Sequence, residues 1–251
     1  MQGDHVGMFL KLAFLFFIGS VFGWVLELFF RRFISSANPE RKWINPGFCT
    51  GPYVPLYGCG LCVLYLLALL DERQFIADPT LNRICTFVFM AFAMTSIEYA
   101  VGVVCCKVTK VRLWDYSNEW GNLQGVICPK FSLAWALLAI LYFYLVHPHT
   151  KQALTWLSRN LAFSFVIGLF FGVFIIDMVH SAQLVSRLKK FADEYDVVVR
   201  YEAVKQSVRR RAEEAKERYR FFRPFRSDLP LTEHLLELKA TFEQVRKRLR
   251  G

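Results

Sequence analysis

The sequence predicts an all-α, polytopic membrane protein with about five transmembrane helices, two Gly/Pro/aromatic loops on the cytoplasmic side and a long cytoplasmic helical tail. Three observations predict it. Hydrophobic residues make up 55% of the 251, with 25 Phe and a mean hydropathy of +0.30, above the roughly 45–50% of soluble domains. The excess is gathered in five blocks long enough to cross a hydrocarbon core of about 30 Å, which takes roughly 20 apolar residues rising about 1.5 Å each. Basic charge collects beyond the last block: residues 182–251 carry 18 Lys/Arg against 11 Asp/Glu, a surplus of seven within a net charge of +10.

The blocks run about 7–30, 52–70, 84–106, 131–147 and 160–180, which divides the chain into a transmembrane domain (1–181) and a basic tail (182–251). The first block is too long for the apolar core of a signal peptide and ends in Phe29-Phe30-Arg31-Arg32, so it is expected to be a retained span.

Lys and Arg are enriched in cytoplasmic loops. With five spans, the 31–51 loop, the 107–130 loop and the tail share one face. The two loops hold Arg31, Arg32, Arg41, Lys42, Lys107, Lys110, Arg112 and Lys130, against Arg73, Arg83, Lys151 and Arg159 in the 71–83 and 148–159 loops of the other face. The expectation is a multi-pass protein of the bacterial cytoplasmic membrane, N-terminus outside and C-terminus inside. All seven cysteines then fall in spans or cytoplasmic loops, where thiols stay reduced. Cys59 and Cys62 are small packing residues one turn apart rather than a redox or metal motif.

No Pro or Gly interrupts the chain between Gly172 and Pro224, and Leu184, Leu188, Phe191, Tyr195 and Val198 recur at helical spacing. The fifth span is expected to continue as one helix to about Tyr219, with a second amphipathic helix over about 231–249. Its basic runs fit attraction to anionic inner-leaflet lipid better than nucleic acid.

Carboxylates inside a bilayer are costly and mark paired or functional positions. Glu27, Glu98 and Asp177 lie in spans one, three and five. Gly23 stands four residues before Glu27 and Gly102 four after Glu98, so spans one and three are expected to pack closely with both glutamates turned inward. The loops Asn45–Gly58 (with Gly47, Gly51, Pro52) and Trp114–Cys128 (with Asn122, Gly125) are rich in Gly, Pro, Asn and aromatics. Such backbone at membrane depth is tolerated when it is buried in protein or lines a cavity. Both loops are expected to fold back toward Glu27 and Glu98, bringing Asp115 to the same place. Trp24, Asn45, Tyr99, Tyr116 and Asn122 complete the candidate polar site. No metal site is expected, and His147-Pro148-His149 is read as an interfacial turn.

Gly23-Trp24 with Glu27, Asn45, Gly47-Phe48, Gly51-Pro52, Pro55, Tyr57-Gly58, Glu98-Tyr99 with Gly102, Trp114-Asp115-Tyr116-Ser117, and Asn122, Gly125, Ile127-Cys128, Ser132 and Trp135 occur in register over about residues 10–150. In these the chain resembles the bacterial membrane proteins called putative ABC-transporter type IV, or CmpB-like. The resemblance implies a permease. No G-x-x-x-x-G-K-[ST] phosphate loop is present, so an ATPase would be a separate subunit, and a second copy of the chain would add spans.

Three functions stay open at this level. The first is a permease-like or transporter-associated subunit with inward carboxylates. The second is a membrane-embedded enzyme acting on a lipid or isoprenoid group, with Glu27, Glu98 and Asp115 as acid, base or oxygen ligands. The third is a scaffold or regulatory protein that docks partners through its tail. The residues choose neither a substrate nor a cofactor.

Overall fold

A computed structural model describes residues 7–35, 38, 41–195, 199–201 and 204. Five helical spans are long and apolar enough to cross a membrane: Met8–Phe33, Pro55–Glu72, Pro79–Thr109, Pro129–Arg159 and Leu161–Lys190. The elements are α1 (Met8–Phe33), α2 (Pro55–Glu72), α3 (Pro79–Thr109), β1 (Val111–Arg112), α4 (Pro129–Leu141), a π turn (Tyr142–Val146), α5 (His147–Arg159), a 3₁₀ turn (Leu161–Phe163), α6 (Ser164–Tyr195) and β2 (Val199–Arg200).

Prolines set several of the starts. Pro55, Pro79 and Pro129 each stand in the first turn of their helix, where the missing N–H costs nothing. Asp78 caps α3 by accepting the Leu81 N–H at 2.8 Å. Span three therefore begins at Pro79, before the expected 84.

The fourth span departs most from expectation. The 148–159 segment is helix α5, not a loop, and it continues α4 through the π turn. Pro148 has no N–H to give the preceding turn. The chain widens there, and the His147 N–H reaches back five residues to the Tyr142 carbonyl. His147-Pro148-His149 is thus the first turn of a helix.

Packing follows small residues. α1 lies against α2 where Gly19 and Gly23 face Tyr57, Gly58 and Leu61. A Cβ on Gly23 would stand 2.2 Å from the Tyr57 Cβ, so α2 approaches only because that hydrogen is all Gly23 presents. α2 then packs on α3, and α3 on α4. One buried cluster joins Phe14, Leu15, Tyr65, Leu154, Leu157 and Ile167, and another joins Leu64, Ala68, Met90, Met94, Trp135, Ala139 and Tyr142. Outward-facing Phe92, Leu133, Phe165, Leu169 and Ile176 are largely exposed, as a lipid-facing surface requires.

The ends of α1, α3 and α6 meet the starts of α2 and α4 at one end of the bundle. There β1 pairs in parallel with β2, Val111 with Val199 and Arg112 with Arg200. Lys110 pairs with Asp193 at 3.2 Å, and the Tyr201 hydroxyl donates to the Phe48 carbonyl at 3.0 Å. Among the described residues α6 runs to Tyr195 and Val199–Arg200 form β2, which interrupts the single helix expected to about Tyr219. The expected 231–249 helix lies outside the described residues.

Candidate functional site

The loop-bearing end holds a continuous polar and aromatic network around the two glutamates. Glu98 is 3% exposed on the inner face of α3. Its Oε1 accepts from the Tyr116 hydroxyl at 3.1 Å and its Oε2 from the Trp135 indole N–H at 2.9 Å. Glu27 on α1 accepts from Arg31 Nε at 3.0 Å and from the Tyr57 hydroxyl at 3.1 Å. The Tyr57 and Trp135 rings lie 5.3 Å apart and join the two halves. Tyr116 stacks on Phe131 at 4.4 Å, and Phe131 meets Phe30 edge-on at 6.2 Å, which closes the ring back to α1. Burial pushes the Tyr116 phenol far above its usual range, and the charges of Glu98 and then Glu27 add to the shift.

The glutamates do turn inward, but not because spans one and three meet. Gly23 receives Tyr57 of α2, and Gly102 receives Val126 and Trp114 of the α3–α4 loop. The two carboxylates are linked across α2 through aromatic side chains, and Tyr57 and Trp135 stand outside the candidate polar site, although both are among the residues that carry the family resemblance. Their place in the motifs shared with the family was the signal that could have found them.

Asp115 does not join Glu98, although its neighbour Tyr116 does. Asp115 points the other way and holds its own loop, accepting from Arg112 at 2.7 Å and from the Ser117 hydroxyl at 2.5 Å. The two neighbours thus serve different partners, Tyr116 bonding Glu98 and Asp115 bonding Arg112 and Ser117. Asn122 is also a loop brace, donating to the Ser117 and Glu119 carbonyls and accepting from the Gly125 N–H. Gly125 takes φ +67°, a left-handed turn beside the Arg112 and Ser117 side chains. Tyr99 is half-buried one position along α3 from Glu98 and stands outside this network.

Asp177 forms a separate lock. Its Oδ1 accepts from the Thr50 N–H at 3.3 Å and from the Thr50 hydroxyl, and its Oδ2 from the Gly51 N–H at 3.0 Å and the Tyr53 hydroxyl at 2.6 Å. All four donors belong to the α1–α2 loop, so Asp177 fastens that loop to α6. Gly51 fits beneath the Tyr53 ring, Gly47 turns at φ +81°, and Pro52 stays exposed in the bend. Trp24 donates its indole N–H to Asn45 at 2.6 Å, and Asn45 donates to the Thr50 carbonyl at 2.8 Å. Gly58 packs on Ser20 and the Phe16 carbonyl. Burial raises the Tyr53 phenol well above its ordinary range, helped by its bond to Asp177 and by the charge of Asp177.

The opposite end carries polar residues that hydropathy assigned to loops. Asp71, 5% exposed, accepts from Asn82 at 2.8 Å and Thr86 at 3.2 Å and pairs with Arg83 at 3.3 Å. Glu72 bonds His147 at 3.0 Å and Lys151, and His147 bonds the Tyr142 hydroxyl at 3.1 Å through its other nitrogen. Among the described residues, no three His, Cys, Asp or Glu side chains gather as metal ligands.

No curated protein and no solved structure matches the chain. One family model, described as putative ABC-transporter type IV, matches residues 14–182. That stretch runs from the second turn of α1 to just past Asp177 and takes in both loops and both glutamates. The chain is a multi-pass membrane protein that belongs to the putative ABC-transporter type IV family.

Proposed function

We propose that the chain is a permease-like, transporter-associated subunit in which Glu98 takes up and releases a proton. One observation carries the reading. Glu98 is buried in a span, and its two bonded partners, Tyr116 and Trp135, are both uncharged. A buried carboxylate with no compensating cation costs several kcal/mol, about what makes proton uptake accessible. The partners also assign the oxygens. Trp135 can only donate, so Oε2 stays an acceptor. A tyrosine hydroxyl donates or accepts, so Oε1 can carry the proton and keep its bond to Tyr116. Glu27, paired with Arg31 and bonded to Tyr57, is the adjoining carboxylate on the route to the loop-bearing end.

Aromatic donors surround Glu98 where a metal ion would need several oxygen ligands, which favours a proton over a bound cation. The chain has no phosphate loop, so ATP hydrolysis belongs to a partner subunit. The loop-bearing end faces the cytoplasm in this reading, with the N-terminus outside. A fluorescent protein fused to the C-terminus then glows in cells, and a periplasmic phosphatase fused there stays inactive.

The test is proton flux into liposomes that hold the purified full-length protein and a trapped pH dye, driven by a potassium diffusion potential. Wild-type protein acidifies the lumen faster than empty vesicles, and Glu98→Gln returns the rate to that of empty vesicles while melting within a few degrees of wild type. Equal flux in Glu98→Gln and wild type, or no flux above empty vesicles, overturns the proposal.

A further inference from the structure

We propose that the outer face of α6 carries a site for one anionic phospholipid of the leaflet that borders the loop-bearing end. The site is a groove of about 430 Å³ lined by Val179, Ala182, Gln183, Ser186, Arg187 and Lys190. These positions advance by three, one, three, one and three residues and form a single stripe of the helix. The stripe faces away from the bundle. Asp177, Ser181, Val185 and Leu188 are buried on the opposite side of the same helix, while the groove residues are exposed.

The stripe changes chemistry along its length as a phospholipid does. Val179 ends the exposed apolar run of Phe165, Leu169, Val173 and Ile176. Ala182 leaves a shallow step, Gln183 and Ser186 offer polar groups, and Arg187 and Lys190 end it. From Leu161 to Ala182 the helix rises roughly 32 Å, the thickness of the hydrocarbon core. Arg187 and Lys190 stand roughly 8 and 12 Å further along the axis, at the depth of the headgroups.

Charge names the occupant. Among the described residues no carboxylate lines the groove, and neither Arg187 nor Lys190 has an acidic partner. Asp193, the acidic residue that follows them on α6 with a described side chain, is taken by Lys110 at 3.2 Å. An arginine and a lysine one turn apart at headgroup depth fit a phosphodiester, and Val179 and Ala182 continue under its acyl chain. A free phosphate has no use for the apolar half.

The test is native mass spectrometry of the full-length protein in nonionic detergent, titrated with phosphatidylglycerol or phosphatidylcholine of the same acyl chains. Wild-type protein retains one phosphatidylglycerol at least tenfold more tightly than phosphatidylcholine. Each charge removed weakens it about fivefold, so Arg187→Gln with Lys190→Gln brings it to the phosphatidylcholine level. Ala182→Trp fills the step with both charges intact and also weakens binding, which keeps the test decisive where the double variant fails to fold. Inorganic phosphate does not displace the lipid. Equal binding of the two lipids, undiminished binding in the variants, or displacement by phosphate overturns the proposal. So does a change from dimer to monomer in the variants with lipid binding unaltered, which would assign the face to a second copy.

Discussion

Tyr57 and Trp135 meet with ring centroids 5.3 Å apart, and each holds a different glutamate, Tyr57 through its hydroxyl to Glu27 and Trp135 through its indole N–H to Glu98. Two carboxylates from separate spans are thereby joined by helices α2 and α4, which carry no acidic residue at that level. The joint is testable from its centre.

Trp135→Phe keeps the ring beside Tyr57 but removes the one donor on Glu98 Oε2. A buried acceptor left without a partner costs about 1–3 kcal/mol. The variant is expected to melt lower in detergent by that measure, and Glu98→Gln in the same background to recover part of the loss, because an amide needs the missing donor less than a carboxylate does. Additive losses in the two variants would mean that the indole and the carboxylate do not interact.

Asp177 gathers four donors from one loop, so Asp177→Ala is expected to release the whole segment around Thr50. Hydrogen bonds to a charged group are worth about 1.5–3 kcal/mol, and the loss should exceed that of Tyr53→Phe. Cys49, 1% exposed with its thiol 3.5 Å from the Met178 sulfur, reports the opening. It is expected to resist maleimide in the native protein and to react in Asp177→Ala.

Close helix approach at Gly23 and open space at Gly168 give a paired test. A Cβ at Gly23 would collide with Tyr57, while Gly168 has nothing within 4 Å. Gly23→Ala is expected to destabilise the protein by about 1–3 kcal/mol through overpacking. Gly168→Ala is expected to be neutral, or to stabilise by up to about 1 kcal/mol through helix propensity. Thermal unfolding of both variants decides it.

Alkaline pH should weaken the fold through Tyr53 and Tyr116. Burial raises both phenols above the ordinary value near 10, with Asp177 adding at Tyr53 and Glu98 at Tyr116. Below about pH 10 both folded and unfolded chains keep these protons, and stability is flat with respect to them. Above it the unfolded chain loses protons that the fold retains, so stability falls by up to about 1.4 kcal/mol per pH unit for each tyrosine. Unfolding measured at pH 9, 10 and 11 should show that decline, with a shallower slope in Tyr53→Phe.

The spans and the inward glutamates were legible because hydropathy and the cost of a buried charge act on single residues. What escaped the sequence depends on geometry between residues. Asp115 and Tyr116 are neighbours, yet the folded loop turns one to Arg112 and Ser117 and the other to Glu98. Asp177 carries the same charge as Glu27, but its partners, two backbone N–H groups and the hydroxyls of Thr50 and Tyr53, converge only once the loop around Thr50 is folded. The helix through His147 was hidden because Pro148 reads as a break, and a single π turn absorbs it.

The pairing of β1 with β2 has a consequence for how the protein is made. β1 follows the third span, and its partner strand follows the fifth. While the chain is being synthesised, Val111 and Arg112 therefore wait with open backbone groups until α6 has been inserted and Tyr201 can reach Phe48. The end of the bundle that carries both glutamates is the last part to be sealed, so a chain cut short before β2 would enter the membrane with its spans in place and Val111 and Arg112 without their strand partner.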